Sequence, residues 1–360
     1  MKVQERGTVA WRPGQMYGWP GLTRAVNGDL LVVASERKHH CCPYGRVVVM
    51  RSGDNGHTWS LPMEIYNSEI DDRDGTLATL PDGTVVAGWF TSMAFMQPFA
   101  ERPEWAARSR RVTKKMQREL VGSWILRSRD HGQSWELTAT AAPDGGCAHI
   151  GPFALSGGAL VCFGSVTEED GSRLFYFRSD DKGETWSRLG EVPCERVERG
   201  GGRLVPYNNE RALLELGGDR LLVLFRNEKE GHLQQSESRD GGRTWAETWN
   251  TPIRGFPPHL LRLSDGRILC SYGHRFDPWS IRVVVSEDDG RTWDVDHLLT
   301  LDKWDDKPDM GYPVSIETGP GEVLSVYYVS RVPITHLPEW EKTFLHGSTP
   351  EGIVFCRFQL

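Results

Sequence analysis

A turn of the form Ser-x-Asp-x-Gly-x-Thr/Ser-Trp occurs five times in the 360 residues, and β-rich runs flank each copy. Pairs of further strand-like runs, joined by Pro-Asp-Gly or Ser-Asp-Gly, lie upstream of the boxes. These observations predict an all-β chain: a six-bladed β-propeller occupying 1–360 as one domain. Glycine (39) and tryptophan (14) are abundant, which suits tight turns and aromatic anchors better than helices. Length alone would admit two or three average domains, so the repeat decides.

The first box reads Ser52-Gly-Asp54-Asn-Gly56-His-Thr58-Trp59. The others run from Ser128 to Trp135, Ser179 to Trp186, Ser238 to Trp245 and Ser286 to Trp293. The Asp carboxylate can accept amides of its own turn, and glycine supplies a positive φ. Tryptophan buries a large surface between neighbouring units. The boxes are therefore hairpin staples, not catalytic groups.

Taken in chain order, Arg46-Val-Val-Val-Met50 is the strand before the first box. Blade two opens with 75–80, the turn Pro-Asp-Gly, and 84–89. The first two boxes are 76 positions apart and later ones 48 to 59, so 93–120 is an insertion, with a basic helix over 101–120. Its Arg102, Arg108, Arg110, Arg111, Lys114, Lys115 and Arg118 suit a solvated helix, a lid or a subunit contact. Blade five shows 259–263, Ser-Asp-Gly, 267–270, and then Ile281-Arg-Val-Val-Val285 before the last box. The sixth blade offers 312–316, 323–328 and 352–357 and then runs out of chain. The N-terminal 2–11 supplies its fourth strand and closes the ring, leaving no sheet edge at the seam.

Net charge is −7, so no global basic field invites nucleic acid or an anionic membrane. No run approaches the roughly 20 apolar residues that span a bilayer. The first six residues lack the apolar run of a signal peptide. Seven cysteines, several inside apolar strands (Cys162, Cys270, Cys356), read as reduced thiols, and the expected location is cytoplasmic. The cluster His39, His40, Cys41, Cys42 matches no zinc spacing, so neither a metal nor another cofactor is expected.

Boxes of this kind on a six-bladed propeller resemble the sialidase superfamily, over the whole chain. The segment from Asn209-Glu210 to Phe225-Arg226 looks like the sialidase segment bearing the catalytic Glu and a substrate-binding Arg. Tyr312, in Met-Gly-Tyr-Pro-Val-Ser, falls where the nucleophilic Tyr falls. Arg275 looks like the next carboxylate-binding Arg, and Ala34-Ser-Glu-Arg37 looks like the Ala-Asp-Glu-Arg segment. The resemblance implies a phenol attacking the anomeric carbon while a carboxylate takes its proton. It also implies arginines clamping a carboxylate on the sugar.

Two positions depart from that pattern. Gly18, in Gly-Trp-Pro-Gly-Leu, replaces one carboxylate-binding arginine. The loop that should carry the acidic Asp reads Lys38-His-His-Cys-Cys-Pro-Tyr44, with Cys42 near the vacant place.

In a propeller the starts of the inner strands and the ends of the second strands converge on one face, opposite the boxes. The inner-strand starts offer Arg73-Asp74, His149, Glu210, His259 and Tyr312. The second-strand ends offer Arg37 with His39 and His40, then Arg226, then His274-Arg275. The candidate catalytic set is Tyr312, Glu210, Asp74 and His39, with His40 as the other histidine in reach for the missing acid. The candidate substrate-binding set is Arg37, Arg73, His149, Arg226, His259 and Arg275. The predicted activity is an exo-acting glycoside hydrolase on a terminal anionic sugar of an oligosaccharide or glycoconjugate. A lyase acting on a uronate, or a glycan-binding propeller without catalysis, are the alternatives.

Overall fold

The computed structural model describes residues 1–96, 103–147, 151–199, 203–207, 210–330 and 352–360. Among the described residues six sheets succeed one another along the chain, antiparallel but for one parallel bridge between Gly171 and Leu204. The first pairs Met16–Arg24, Leu30–Arg37, Arg46–Ser52 and Met63–Tyr66 in that order. The second pairs Asp71–Thr79, Val85–Ser92, Ser123–Ser128 and Thr140–Ala142. The last pairs Asp309–Gly319, Glu322–Ser330 and Gly352–Gln359 with Lys2–Ala10. The N-terminal strand thus closes the ring, in register from Lys2 opposite Gln359 to Ala10 opposite Ile353.

The hydrophobic core is divided among the seams between blades. Leu30, Val32 and Met50 of blade one meet Leu324, Val326 and Phe355 of blade six. Val161, Phe163 and Tyr176 of blade three meet Val223, Phe225 and Trp245 of blade four. The box tryptophans sit at these seams: Trp245 lies 5.4 Å from Tyr176 and 5.6 Å from Phe163.

Each box is tied by its own side chains. Asp181 Oδ1 accepts from Ser179 Oγ (2.7 Å) and the Thr185 amide (2.9 Å), and Oδ2 accepts from Thr185 Oγ1 (2.6 Å). The Thr185 hydroxyl leads the bonds that hold its carboxyl down at about 2. Gly183, at φ 86°, has no room for a side chain, because a Cβ there would lie 2.2 Å from Ile125 Cδ1.

The insertion differs from the single helix expected over 101–120. Two short helices form, α1 (Pro103–Ser109) and α2 (Lys114–Leu120). Thr113 ends the continuity: it is extended (φ −81°, ψ 162°), and its hydroxyl caps α2 by accepting from the Met116 amide. Trp105, Val112 and Phe95 form a small core with Cys41 and Ile70. Arg108 pins this unit by donating to Ser68 O (2.8 Å) and Glu69 O (3.2 Å). A hairpin on blade three, Arg196–Arg199 with Arg203–Pro206, was not anticipated by the repeat.

Candidate active site

The inner strands of blades one, two and six each break register near their start, at Gly18/Gly21, Arg73/Thr76 and Gly311/Val314. In each break one bulky residue takes a left-handed backbone: Trp19 (φ 54°), Asp74 (φ 54°) and Tyr312 (φ 55°). Non-glycine residues in this region carry strain, and such strain concentrates at functional sites. The close approach of neighbouring inner strands explains the glycines beside them: a Cβ on Gly21 would lie 2.8 Å from Thr76 Cα.

Tyr312 is 5 % exposed and its hydroxyl donates to Glu210 Oε1, from a position 102 residues away in the sequence. The same oxygen accepts from Arg226 Nη1 at 2.6 Å. Burial drives the Tyr312 pKa well above that of a free phenol, and Glu210 adds to the rise against Arg226 and Arg275. The phenol is therefore a poor nucleophile until its proton moves, and the nearest acceptor is Glu210.

The arginines divide into two kinds. Arg37 is enclosed: it ion-pairs with Asp71 (2.5 and 3.2 Å) and donates to Ser35 Oγ, Asp72 O and His40 O. Its side chain is 0 % exposed, which corrects its expected place as a substrate-binding residue: every donor it has is spent on the protein. Arg226 is clasped by Glu210 and Glu228 and lies 4.5 Å over Phe256. Burial works against its charge, but Glu210 and Tyr312 outweigh burial and keep it protonated. Arg73 lies over Trp19 at 4.6 Å and stands 3.7 Å from Asp74.

Arg275 is different. Its Nε and Nη2 donate to Met310 O (3.1 and 2.6 Å), and its guanidinium lies 5.4 Å over the Tyr312 ring. Among the described residues it has no carboxylate at ion-pair distance. It is the arginine of this group best placed to meet an incoming anion.

The two loop histidines part company. His39 lies against Trp105, ring centres 5.4 Å apart and tilted, and lines a separate cavity of about 550 Å3 with Glu36, Tyr44, Arg46 and Arg108. His40 turns to the site, 5.0 Å edge-on to Trp19, with Nδ1 2.7 Å from Asp309 Oδ2. His39, a candidate for the catalytic set, thus lies against Trp105 of the insertion, away from Trp19 and Asp309. Cys42 also points inward: it is 0 % exposed, its amide donates to Asp71 (3.4 Å), and burial raises its thiol pKa. The space beside Gly18 is occupied by Met16 and Tyr328.

His259 does not reach this face. It lines a central channel of about 460 Å3 running beneath the bulges among Thr76, Ala212, Val314 and Ser315. Burial lowers its pKa to about 4, and Nδ1 accepts from the Ser315 amide at 3.3 Å. His149 lies outside the described residues. No group of three His, Cys, Asp or Glu able to hold a metal occurs among the described residues.

Sequence reasoning missed Trp19, Asp309 and Tyr328. Trp19-Pro20 and Tyr312-Pro313 repeat the same dipeptide pattern at equivalent strand positions, which was a readable signal. The partnership of His40 with Asp309, 269 residues apart, had none.

Comparison with known proteins follows the same lines. The family described as BNR repeat-like domain matches residues 95–324. A sialidase from Paraclostridium sordellii is 24% identical over 251 residues, 64% of this chain and 57% of that protein. The chain therefore spans little more than half the length of that relative. A protein of unknown function from Dyadobacter fermentans superposes with a TM-score of 0.74 at 20% identity, covering 99% of this chain and 98% of the other. The Hadza microbial sialidase Hz136 superposes with a TM-score of 0.67 at 20% identity, over 96% of this chain and 66% of that one.

Proposed function

The chain belongs to the BNR repeat-like domain family, and from that premise we propose that it is an exo-acting glycoside hydrolase acting on a terminal anionic sugar. The observation that carries the reading is the buried hydrogen bond from Tyr312 to Glu210, with Arg226 on the same carboxylate oxygen. Tyr312 Oη attacks the anomeric carbon as the glycosidic bond breaks, and its proton passes to Glu210. A neutral nucleophile suits an anomeric centre that carries a carboxylate, because it avoids like-charge repulsion. Arg275 meets that carboxylate. Asp74, which contributes negative potential at Tyr312, opposes the positive charge that builds on the sugar ring. Likeness to sialidases supports the reaction class.

The test is release of 4-methylumbelliferone from a panel of its glycosides with acidic sugars. Tyr312→Phe should abolish release while the circular dichroism spectrum stays native. A product with the ultraviolet absorbance of an unsaturated uronate would assign a lyase instead.

A further inference from the structure

Attack by Tyr312 leaves one proton unaccounted for, the one that the departing oxygen must receive. The loop that should carry a carboxylic acid for this contains none, since 38–45 reads Lys-His-His-Cys-Cys-Pro-Tyr-Gly. The same loop nevertheless sends one titratable ring into the site. His40 Nδ1 lies 2.7 Å from Asp309 Oδ2, and Asp309 Oδ1 accepts from Tyr328 Oη at 2.6 Å. Asp309 is 6 % exposed; burial pushes its pKa up, but His40 and Arg275 outweigh burial and hold it ionised. An ionised Asp309 fixes the tautomer: Nδ1 carries a proton toward the carboxylate, and Nε2 faces away from it. On that side Arg73 Nη2 stands 3.4 Å away and can only donate, so it meets Nε2 when that nitrogen has given up its proton. The groups facing His40 include Asp309 from blade six, Arg73 from blade two and Trp19 from blade one. Arg37 holds the backbone through the His40 carbonyl at 2.9 Å. Tyr312 and Tyr328 pack at 5.8 Å between ring centres, so this group borders the nucleophile.

We propose that His40, oriented by Asp309 and Tyr328, is the acid–base residue that serves the leaving oxygen. This rests on the hydrolase reading above. In the first step the imidazolium Nε2–H gives its proton to the glycosidic oxygen as the carbon–oxygen bond breaks. Meanwhile Tyr312 bonds to the anomeric carbon and Glu210 receives the phenol proton. In the second step water attacks that carbon, its proton returns to His40 Nε2, and Tyr312 recovers its own from Glu210. Between the two steps the imidazole is neutral, and Arg73 Nη2, 3.4 Å away, then donates to Nε2. Asp309 acts only through His40 and is a positioning residue. Asp74 does not compete for the role, because its carboxylate stands 3.7 Å from the Arg73 guanidinium on the inner strand.

The experiment compares kcat/KM for two leaving groups on the acidic sugar that the native protein cleaves. One is 4-methylumbelliferone, which departs without help, and the other is methanol, which needs a proton. His40→Gln should lower kcat/KM for the methyl glycoside about 10²- to 10⁴-fold and leave the aryl glycoside within about tenfold. Asp309→Asn should show the same selectivity in weaker form, which a purely structural defect would not produce. His40→Asn is the second variant should the glutamine fold poorly, with thermal melting as the check. Equal losses on both glycosides overturn the assignment while leaving Tyr312 as nucleophile. Selective loss in His40→Gln alongside a fully active Tyr312→Phe sinks the nucleophile instead and keeps the histidine. A native protein that cleaves no glycoside of the panel overturns both.

Discussion

At the scale of single residues, charge pairing separates the groups that hold the structure from those that meet a ligand. Arg37 resembles a substrate-binding arginine by its sequence neighbourhood, yet Asp71, Ser35, Asp72 and His40 take up its donors. Arg37→Met should therefore lower stability by about 3 kcal/mol, because it leaves the buried Asp71 with only Arg73, 3.9 Å away, as a counter-charge. Equilibrium denaturation in urea measures the loss. A change in KM alone, with stability intact, would return Arg37 to the binding site. Asp72 makes a pH prediction. Burial raises its carboxyl pKa to about 7, against hydrogen bonds from Ser68. In the unfolded chain it titrates near ~3.9. A raised folded value means that its contribution to stability is full below the unfolded pKa and is lost as pH rises through about 7. Stability measured at about pH 5 should exceed that at about pH 8, and Asp72→Asn should flatten the difference.

At the scale of the element, the box is a local device with a local energy. Asp181→Ala removes the acceptor of the Ser179 hydroxyl, the Thr185 amide and the Thr185 hydroxyl. The expected cost is about 1 kcal/mol, since the turn is solvent-exposed and water replaces part of each bond. Gly183→Ala should cost more, because it adds a backbone conformation that L-residues disfavour to a clash with Ile125. Thermal unfolding ranks the two variants. Both should keep native kcat/KM, because the boxes lie on the face opposite Tyr312. The insertion follows a different logic. Its helices are too short to be stable by themselves, and they persist through Trp105 and Val112 packing on Cys41 and Ile70. The same Trp105 meets the ring of His39, while His40 turns toward Trp19.

At the scale of the molecule, the ring depends on its seam. Lys2–Ala10 covers the edge of Gly352–Gln359, and Arg6 reaches Leu301 O in the next blade at 3.0 and 2.6 Å. Deleting residues 2–10 should expose that edge and part of the seam core around Val9 and Ala10. The truncated chain should melt at a lower temperature and scatter light at micromolar concentration. An unchanged melting temperature would show that closure contributes nothing. The site also depends on the whole ring, because Glu210, Arg275, Tyr312, Trp19 and Asp74 come from five different blades.

The amino-acid sequence by itself determined the blades, because the Ser, Asp and Thr hydrogen bonds inside each box span at most four residues and need no long-range information. Closure by the first strand followed from counting, since the sixth blade lacked one strand. Glu210 and Tyr312 were legible too, through residue patterns that mark their positions on inner strands. What only the tertiary structure decided was which charges are already satisfied. Asp71 lies 34 residues from Arg37, and Asp309 lies 269 residues from His40, at distances along the chain where no periodicity pairs them. The same holds for the choice between His39 and His40. Adjacent loop residues differ only in the side they present, and the packing of the insertion against the loop settles that side.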